Sequence, residues 1–206
     1  FRRAFFDVLT GRLKGDGQTC YAAMLYHNLY ENEKEYDLIY SHLIRTINEA
    51  DGHLDYGILG NKYVNNILGK KGRADVIYSM ITQDTFPSFA NCIKELGATT
   101  LYECWNGEGS RNHHMFGDIS ATFFKYFAGI QPDPEYPGFK RFTLAPGFNT
   151  PLEKVDAVYE SMLGTIRCSY VKTEKSIIVD IEVPVNSCAV FKAGSGMDIY
   201  EDNNLL

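Results

Sequence analysis

Four things are scarce or missing in this chain of 206 residues: tryptophan (a single one), excess positive charge, a long apolar run and a cysteine pattern. Each lack removes a class of function. Lys and Arg total 20 against 26 Asp and Glu, for a net charge of −6. Binding a polyanion needs concentrated cations, and the densest basic group, Lys62, Lys70, Lys71 and Arg73, fits a solvated helix face. No nucleic-acid partner is expected. No stretch approaches the ~20 apolar residues of a membrane-spanning helix, so no membrane partner is expected, and no signal peptide is recognisable. The five cysteines (Cys20, Cys92, Cys104, Cys168 and Cys188) are odd in number, at spacings that suit neither a zinc ribbon nor a disulfide framework. They read as small buried thiols in the reduced state, and no metal or cofactor is expected. The compartment stays open, with a periplasmic or extracellular location favoured over a cytoplasmic one. Because the chain begins at Phe1 rather than Met, it reads as a processed or excised piece.

What is present is enough apolar sequence for a real core: 45% hydrophobic, with 14 Tyr and 13 Phe, and only 22% charged. The first two thirds carry a helical period. Thr19 to Tyr30 is apolar enough to be largely buried. Asn32 with Glu35 forms a capping box, followed by Tyr36, Ile39, Tyr40, Leu43, Ile44 and Ile47 on one face. Leu59 to Leu68 and Arg73 to Thr82 are two further helices, parted by Gly69-Lys70-Lys71-Gly72. Phe86 to Leu96 is another, with Pro87 in its first turn and Gly97 past its end. A last helix is predicted from Phe116 to Ile130, with Phe116, Ile119, Phe123, Phe127 and Ile130 facing inward. Around Pro132-Asp133-Pro134 and Pro137-Gly138 the composition changes to that of a linker, and the period becomes two. Thr165 to Val171 and Ser176 to Val183 form a hairpin, and Ala189 to Phe191 is a further short strand. The expected organisation is a helical domain over residues 1–131 and an antiparallel β-domain over 132–206.

Between the last two predicted helices, Ala98 to His114 is too β-branched and Gly-rich to be helical. Loops on a rigid scaffold are where binding groups concentrate. Here Glu103 stands between Tyr102 and Trp105, shortly before Ser110-Arg111-Asn112-His113-His114. A carboxylate among aromatics and His, Asn and Ser is the chemistry of a sugar pocket: rings stack on pyranose faces, polar groups hold hydroxyls, and the carboxylate activates water. Blander readings stand beside it. Glu103 also suits a cap or an ion pair, Trp105 suits the core as well as a pocket wall, and His113 suits a pocket hydrogen bond or a structural one. The adjacent His113 and His114 are expected to point apart, against a metal site.

Serial helical hairpins, a polar loop with one carboxylate and a small β-sandwich, in that order, resemble the catalytic and C-terminal regions of bacterial α-L-rhamnosidases. The matching residues are Gly97-Ala98-Thr99-Thr100 leading into Glu103-Cys104-Trp105, then Ser110-Arg111-Asn112-His113 with Gly117. Ala128-Gly129-Ile130, Pro137-Gly138-Phe139, Phe86-Pro87-Ser88 and the Gly57 to Gly60 turn add to them. The resemblance implies part of an (α/α)6 toroid followed by a small antiparallel β-sandwich, and an inverting hydrolase that releases terminal α-L-rhamnose. It makes Glu103 the general base, Trp105 and Tyr102 pocket-wall aromatics, and His113 and Asn112 polar pocket residues. Tyr102 stands where Trp is common and Asn106 where Asp is common. The acidic segment expected to carry the general acid is absent from residues 1 to 60, and none of Asp55, Glu95, Glu108 and Asp118 has the apolar flanks of such an acid. About seven of the twelve helices of such a toroid are found. The implied partners are therefore a rhamnoside substrate and the missing N-terminal half of the same enzyme, without which the piece is inactive. Two alternatives stay open: another (α/α)6 glycosidase, or a non-catalytic sugar-binding or structural module.

Overall fold

The computed structural model describes Arg2 to Glu201 and the backbone of Asn204 and Leu205. Its residues cluster into two compact units, Phe1–Ala121 and Thr122–Leu206.

The first unit is built of helices: α1 (Arg2–Phe5), α2 (Gln18–Tyr26), α3 (Glu33–Glu49), α4 (Ile58–Lys70), α5 (Ala74–Ile81), α6 (Phe89–Lys94) and, after a 3-10 turn at His114–Gly117, α7 (Asp118–Thr122). The apolar α2 packs against both α3 and α4, burying Tyr21, Ala22, Met24 and Leu25. It stops earlier than its apolar content suggests, because Asn28 takes a left-handed φ of 53°. The α2–α4 crossing is close because position 60 is glycine. A Cβ on Gly60 would overlap Thr19 Oγ1 and the Tyr56 side chain. The N-terminus of α3 shows the predicted cap, Asn32 Oδ1 accepting from Glu35 N at 3.1 Å. The reciprocal arm of the box goes elsewhere: Glu35 accepts from Glu31 N and forms a two-pronged ion pair with Arg2, at 2.8 and 2.9 Å. These contacts hold its carboxyl below the usual range, the Arg2 hydrogen bond most of all.

Two predicted helices are corrected. The one placed over Phe86 to Leu96 is only Phe89–Lys94, capped by Ser88 Oγ accepting from Asn91 N at 3.0 Å. Pro87 lies before the cap rather than in the first turn. The helix placed over Phe116 to Ile130 divides into the 3-10 turn, α7 and a π-helical turn over Phe123–Phe127. The wider turn shifts the helical register, so Phe123 leaves the inward stripe and is 46% exposed, while Phe127 is buried.

In the second unit, β1 (Ile130–Pro132), β2 (Arg141–Leu144) and β6 (Cys188–Phe191) form one sheet in the order β1-β2-β6. A second sheet is β3 (Lys154–Ser161), β4 (Gly164–Lys172) and β5 (Ile177–Glu182), and β7 (Tyr200–Glu201) pairs with β8 (Asn204–Leu205). The predicted hairpin is β4–β5, with Cys168 opposite Ile181 and Tyr170 opposite Val179. β3, absent from the sequence reading, pairs with β4 along its whole length. Every pairing is antiparallel except β2 with β6. Ile130, Phe142 and Leu144 of one sheet meet Ile166 and Cys168 of the other in a buried core, where burial pushes the Cys168 thiol up to about 11. No described helix is long and apolar enough to cross a membrane.

Two outcomes are expected. Gly60→Ala should cost about 1–3 kcal/mol of stability by overpacking the α2–α4 crossing, read from the midpoint of denaturant unfolding. Glu35 has a depressed folded pKa, so its contribution is complete above its ordinary value of 4.5 and is lost as pH falls through the lower folded value. Glu35→Gln should therefore flatten the acid side of the stability–pH curve while leaving its shape above neutrality unchanged.

Candidate active site

The segment from Thr100 to His113 is a two-limbed loop closed by its own backbone. Glu103 N donates to Ser110 O at 2.8 Å, His113 N donates to Leu101 O at 2.7 Å, and Thr100 Oγ1 donates to Arg111 O. The reversal between the limbs uses Gly107 and Gly109, at φ values of 82° and 75°. Closing the loop places the sequence-predicted Glu103 beside His113. Glu103 Oε2 accepts from Ser110 N at 2.9 Å and lies 3.7 Å from His113 Nδ1. The second distance is too long for a hydrogen bond but within reach of a bridging hydroxyl or water. Glu103 Oε1 takes no hydrogen bond among the described residues. His113 Nε2 is buried, and it has no hydrogen-bond partner among the described residues either. The Glu103 side chain is 38% exposed, open enough to meet a ligand.

Position 109 is tied to this geometry twice over. Its φ favours glycine, and a Cβ there would stand 2.7 Å from Glu103 Oε2. The bare backbone at 109 is what lets the carboxylate lie against the loop and reach the Ser110 N–H.

Trp105 faces the scaffold. Its indole Nε1 donates to the carbonyl of Tyr56 at 2.7 Å, next to the Gly57 cap of α4. Its ring meets Phe116 at 4.4 Å between centroids and Phe89 edge-on at 5.1 Å. Tyr102 carries the Arg111 guanidinium 5.5 Å from its ring. Tyr102 and Trp105 share with Phe89, Cys92, Ile93 and Phe116 the lining of an apolar cavity of about 310 Å³ that neither Glu103 nor His113 lines. Asn112 is exposed, its N donating to Ser110 Oγ at 3.3 Å.

The His113 and His114 rings do not diverge. They lie nearly parallel, 6.0 Å apart. Among the described residues no group of three or more His, Cys, Asp and Glu side chains is arranged to hold a metal ion. The sequence reading named Ser110 for its side chain, not for the N–H that it gives to Glu103, and it did not find Gly109, Tyr56 or Asn61. Ser110 and Tyr56 act through backbone atoms that carry no side-chain signature. Asn61 had a signal, a polar residue on an otherwise apolar helix face with Asn65 one turn on.

A lone tryptophan makes the loop observable. Phe116→Ala should red-shift the Trp105 emission, and at denaturant concentrations below the midpoint followed by far-UV circular dichroism. Coincident transitions with unshifted native emission would show that Phe116 does not hold the indole.

Three comparisons bear on this arrangement. The family model of the bacterial α-L-rhamnosidase 6 hairpin glycosidase domain matches residues 1–127, and that of the bacterial α-L-rhamnosidase C-terminal domain matches residues 129–193. An α-L-rhamnosidase of Alteromonas sp. (strain LOR) is 32% identical over 203 residues, covering 93% of this chain and 22% of that protein. The structure of an α-L-rhamnosidase from Dictyoglumus thermophilum superposes with a TM-score of 0.85 at 30% identity, over 99% of this chain and 24% of its own. That of a Streptomyces avermitilis α-L-rhamnosidase, complexed with L-rhamnose, gives 0.81 at 26% identity, over 92% of this chain and 19% of its own. The chain thus spans less than a quarter of the length of each of these relatives.

Proposed function

Because the chain belongs to the bacterial α-L-rhamnosidase family, we propose that it forms the C-terminal part of an inverting glycosidase releasing terminal α-L-rhamnose, with Glu103 as general base. The rest of the polypeptide would complete the (α/α)6 barrel and bring the general acid. Relatives several times longer, all α-L-rhamnosidases, support that division.

The observation that carries the assignment is the asymmetry of the Glu103 carboxylate. Oε2 is held by the Ser110 N–H, which fixes the orientation of the side chain. Oε1 is left to take a proton. In the reaction a water oxygen forms a bond to the anomeric carbon while its proton passes to Oε1. The glycosidic C–O bond breaks with its electron pair on the leaving oxygen, which is protonated by the acid outside this chain. Attack from the face opposite the leaving group inverts the centre, and the two carboxyl groups stand roughly 6.5–9.5 Å apart to admit the water. His113, 3.7 Å from Glu103, and Asn112 would hold sugar hydroxyls. Trp105 and Tyr102, on the lining of the neighbouring apolar cavity, would offer ring surface to a part of the substrate that enters that cavity, Trp105 by its ring alone because its N–H is taken by Tyr56.

The test uses the full-length enzyme that contains this chain. Glu103→Gln should lower kcat by about 10²–10⁴-fold with the fold unchanged by circular dichroism. Proton NMR during hydrolysis should show β-L-rhamnose as the first-formed anomer. Near-normal turnover of the variant would remove Glu103 as base, and first-formed α-anomer would remove the inverting mechanism.

A further inference from the structure

We infer that Asn61, in the first turn of α4, is a positioning residue for the catalytic loop: its side-chain amide holds the carbonyl of Phe116 and so sets where Glu103 and His113 stand. The inference rests on the proposed role of Glu103. Asn61 and Asn65, one helical turn apart, are both fully buried. Asn61 Nδ2 donates to Phe116 O at 3.2 Å, and Asn65 Nδ2 donates to Asn61 Oδ1 at 3.3 Å, so the two amides run in series towards the loop. Asn65 Oδ1 is buried with no hydrogen-bond partner among the described residues. Burying two amides and leaving one acceptor unmatched costs folding free energy that apolar side chains would not. What the pair supplies instead is direction, one donor aimed at one carbonyl of the site.

That carbonyl matters because of what hangs on it. Phe116 follows His113 by three residues, and its ring lies 4.4 Å from the Trp105 ring. Trp105 follows Glu103 by two residues, and its indole is tied to the Tyr56 carbonyl just before α4. Both ends of the loop are thereby mounted on the start of one helix, the Glu103 limb through Tyr56 and the His113 limb through Asn61. Removing the Asn61 donor frees the His113 limb to move relative to the Glu103 limb, and the contact between the two side chains spans that joint.

Misplacement of a reacting group by about 1 Å costs about a hundredfold in rate. In the full-length enzyme, Asn61→Leu should lower kcat about 10–100-fold with KM changed by less than about twofold, and should move the acid limb of the pH–kcat/KM profile. The Trp105 emission should shift as well. Asn61→Ser, whose hydroxyl is too short to reach Phe116 O, should do the same and serves if the leucine variant does not fold. Ile39→Ala, a cavity in the core of α3, should lower stability while leaving kcat and the acid limb in place. If the Asn61 variants lose activity only in proportion to their unfolded fraction, or leave kcat and the acid limb untouched, the inference is overturned. Glu103→Gln in the same assay separates the two failures. Full activity in that variant sinks the base assignment. An inactive Glu103→Gln beside an unimpaired Asn61→Leu sinks only the positioning role.

Discussion

The hydrogen bond from the indole of Trp105 to the backbone carbonyl of Tyr56 anchors the Glu103 limb of the loop to the start of α4. A loop closed by its own backbone has an internal shape but no fixed orientation. Gly107, Gly109 and the Glu103–Ser110 and His113–Leu101 pairings supply the shape. Orientation comes from the 2.7 Å bond at Tyr56 and from Phe89 and Phe116, which close on the indole. The general base proposed at Glu103, which would meet a water molecule at a defined angle, needs both. Here the first is local in sequence, and the second crosses 49 residues.

This division explains how much of the molecule could be read in advance. The helices were legible where their signals are local. Asn32 caps α3 as its type predicts, and Ile39, Leu43 and Ile47 are buried on the face that their spacing marks. The β4–β5 hairpin was legible for the same reason, through strict alternation. Signals failed where a longer-range term overrode them. The stripe from Phe116 to Ile130 has good helical spacing, yet the chain spends Phe123–Phe127 on a π-turn and gives Ile130 to a strand against Leu144. β3 was missed because its outward positions dominate its composition. Asp156 and Glu160 face solvent and bond Ser169 and Thr165 across the ladder, so little apolar period remains to be seen.

At the site the same limit separates side chains from backbone. Glu103, His113, Tyr102 and Trp105 could be picked out because their side chains are chemically conspicuous. Their grouping could not be. Tyr102 and Trp105 face the apolar cavity while Glu103 turns towards His113, a split that depends on how the loop folds back on itself. Ser110 contributes an N–H, Tyr56 a carbonyl and Gly109 the lack of a side chain. None of these has a signature in residue type beyond the permissiveness of glycine.

The two oxygens of Glu103 show why the backbone contribution is the chemically important one. Two equivalent, freely rotating oxygens would make a weakly directed base, because rotation about the last side-chain bond would exchange the atom presented to water. The Ser110 N–H breaks that equivalence, and the would-be Cβ position at residue 109 leaves room for it to do so. A backbone donor is also fixed in number and cannot titrate, unlike a Lys, Arg or His in the same place, so it holds the carboxylate without tying its orientation to pH. The direction of the free oxygen is then set by the loop backbone. The loop backbone is set in turn by Trp105 and Phe116, whose anchors lie at the start of α4. On the proposed assignment, substitutions at that helix end would act on the aim of a proton-accepting atom that they do not touch.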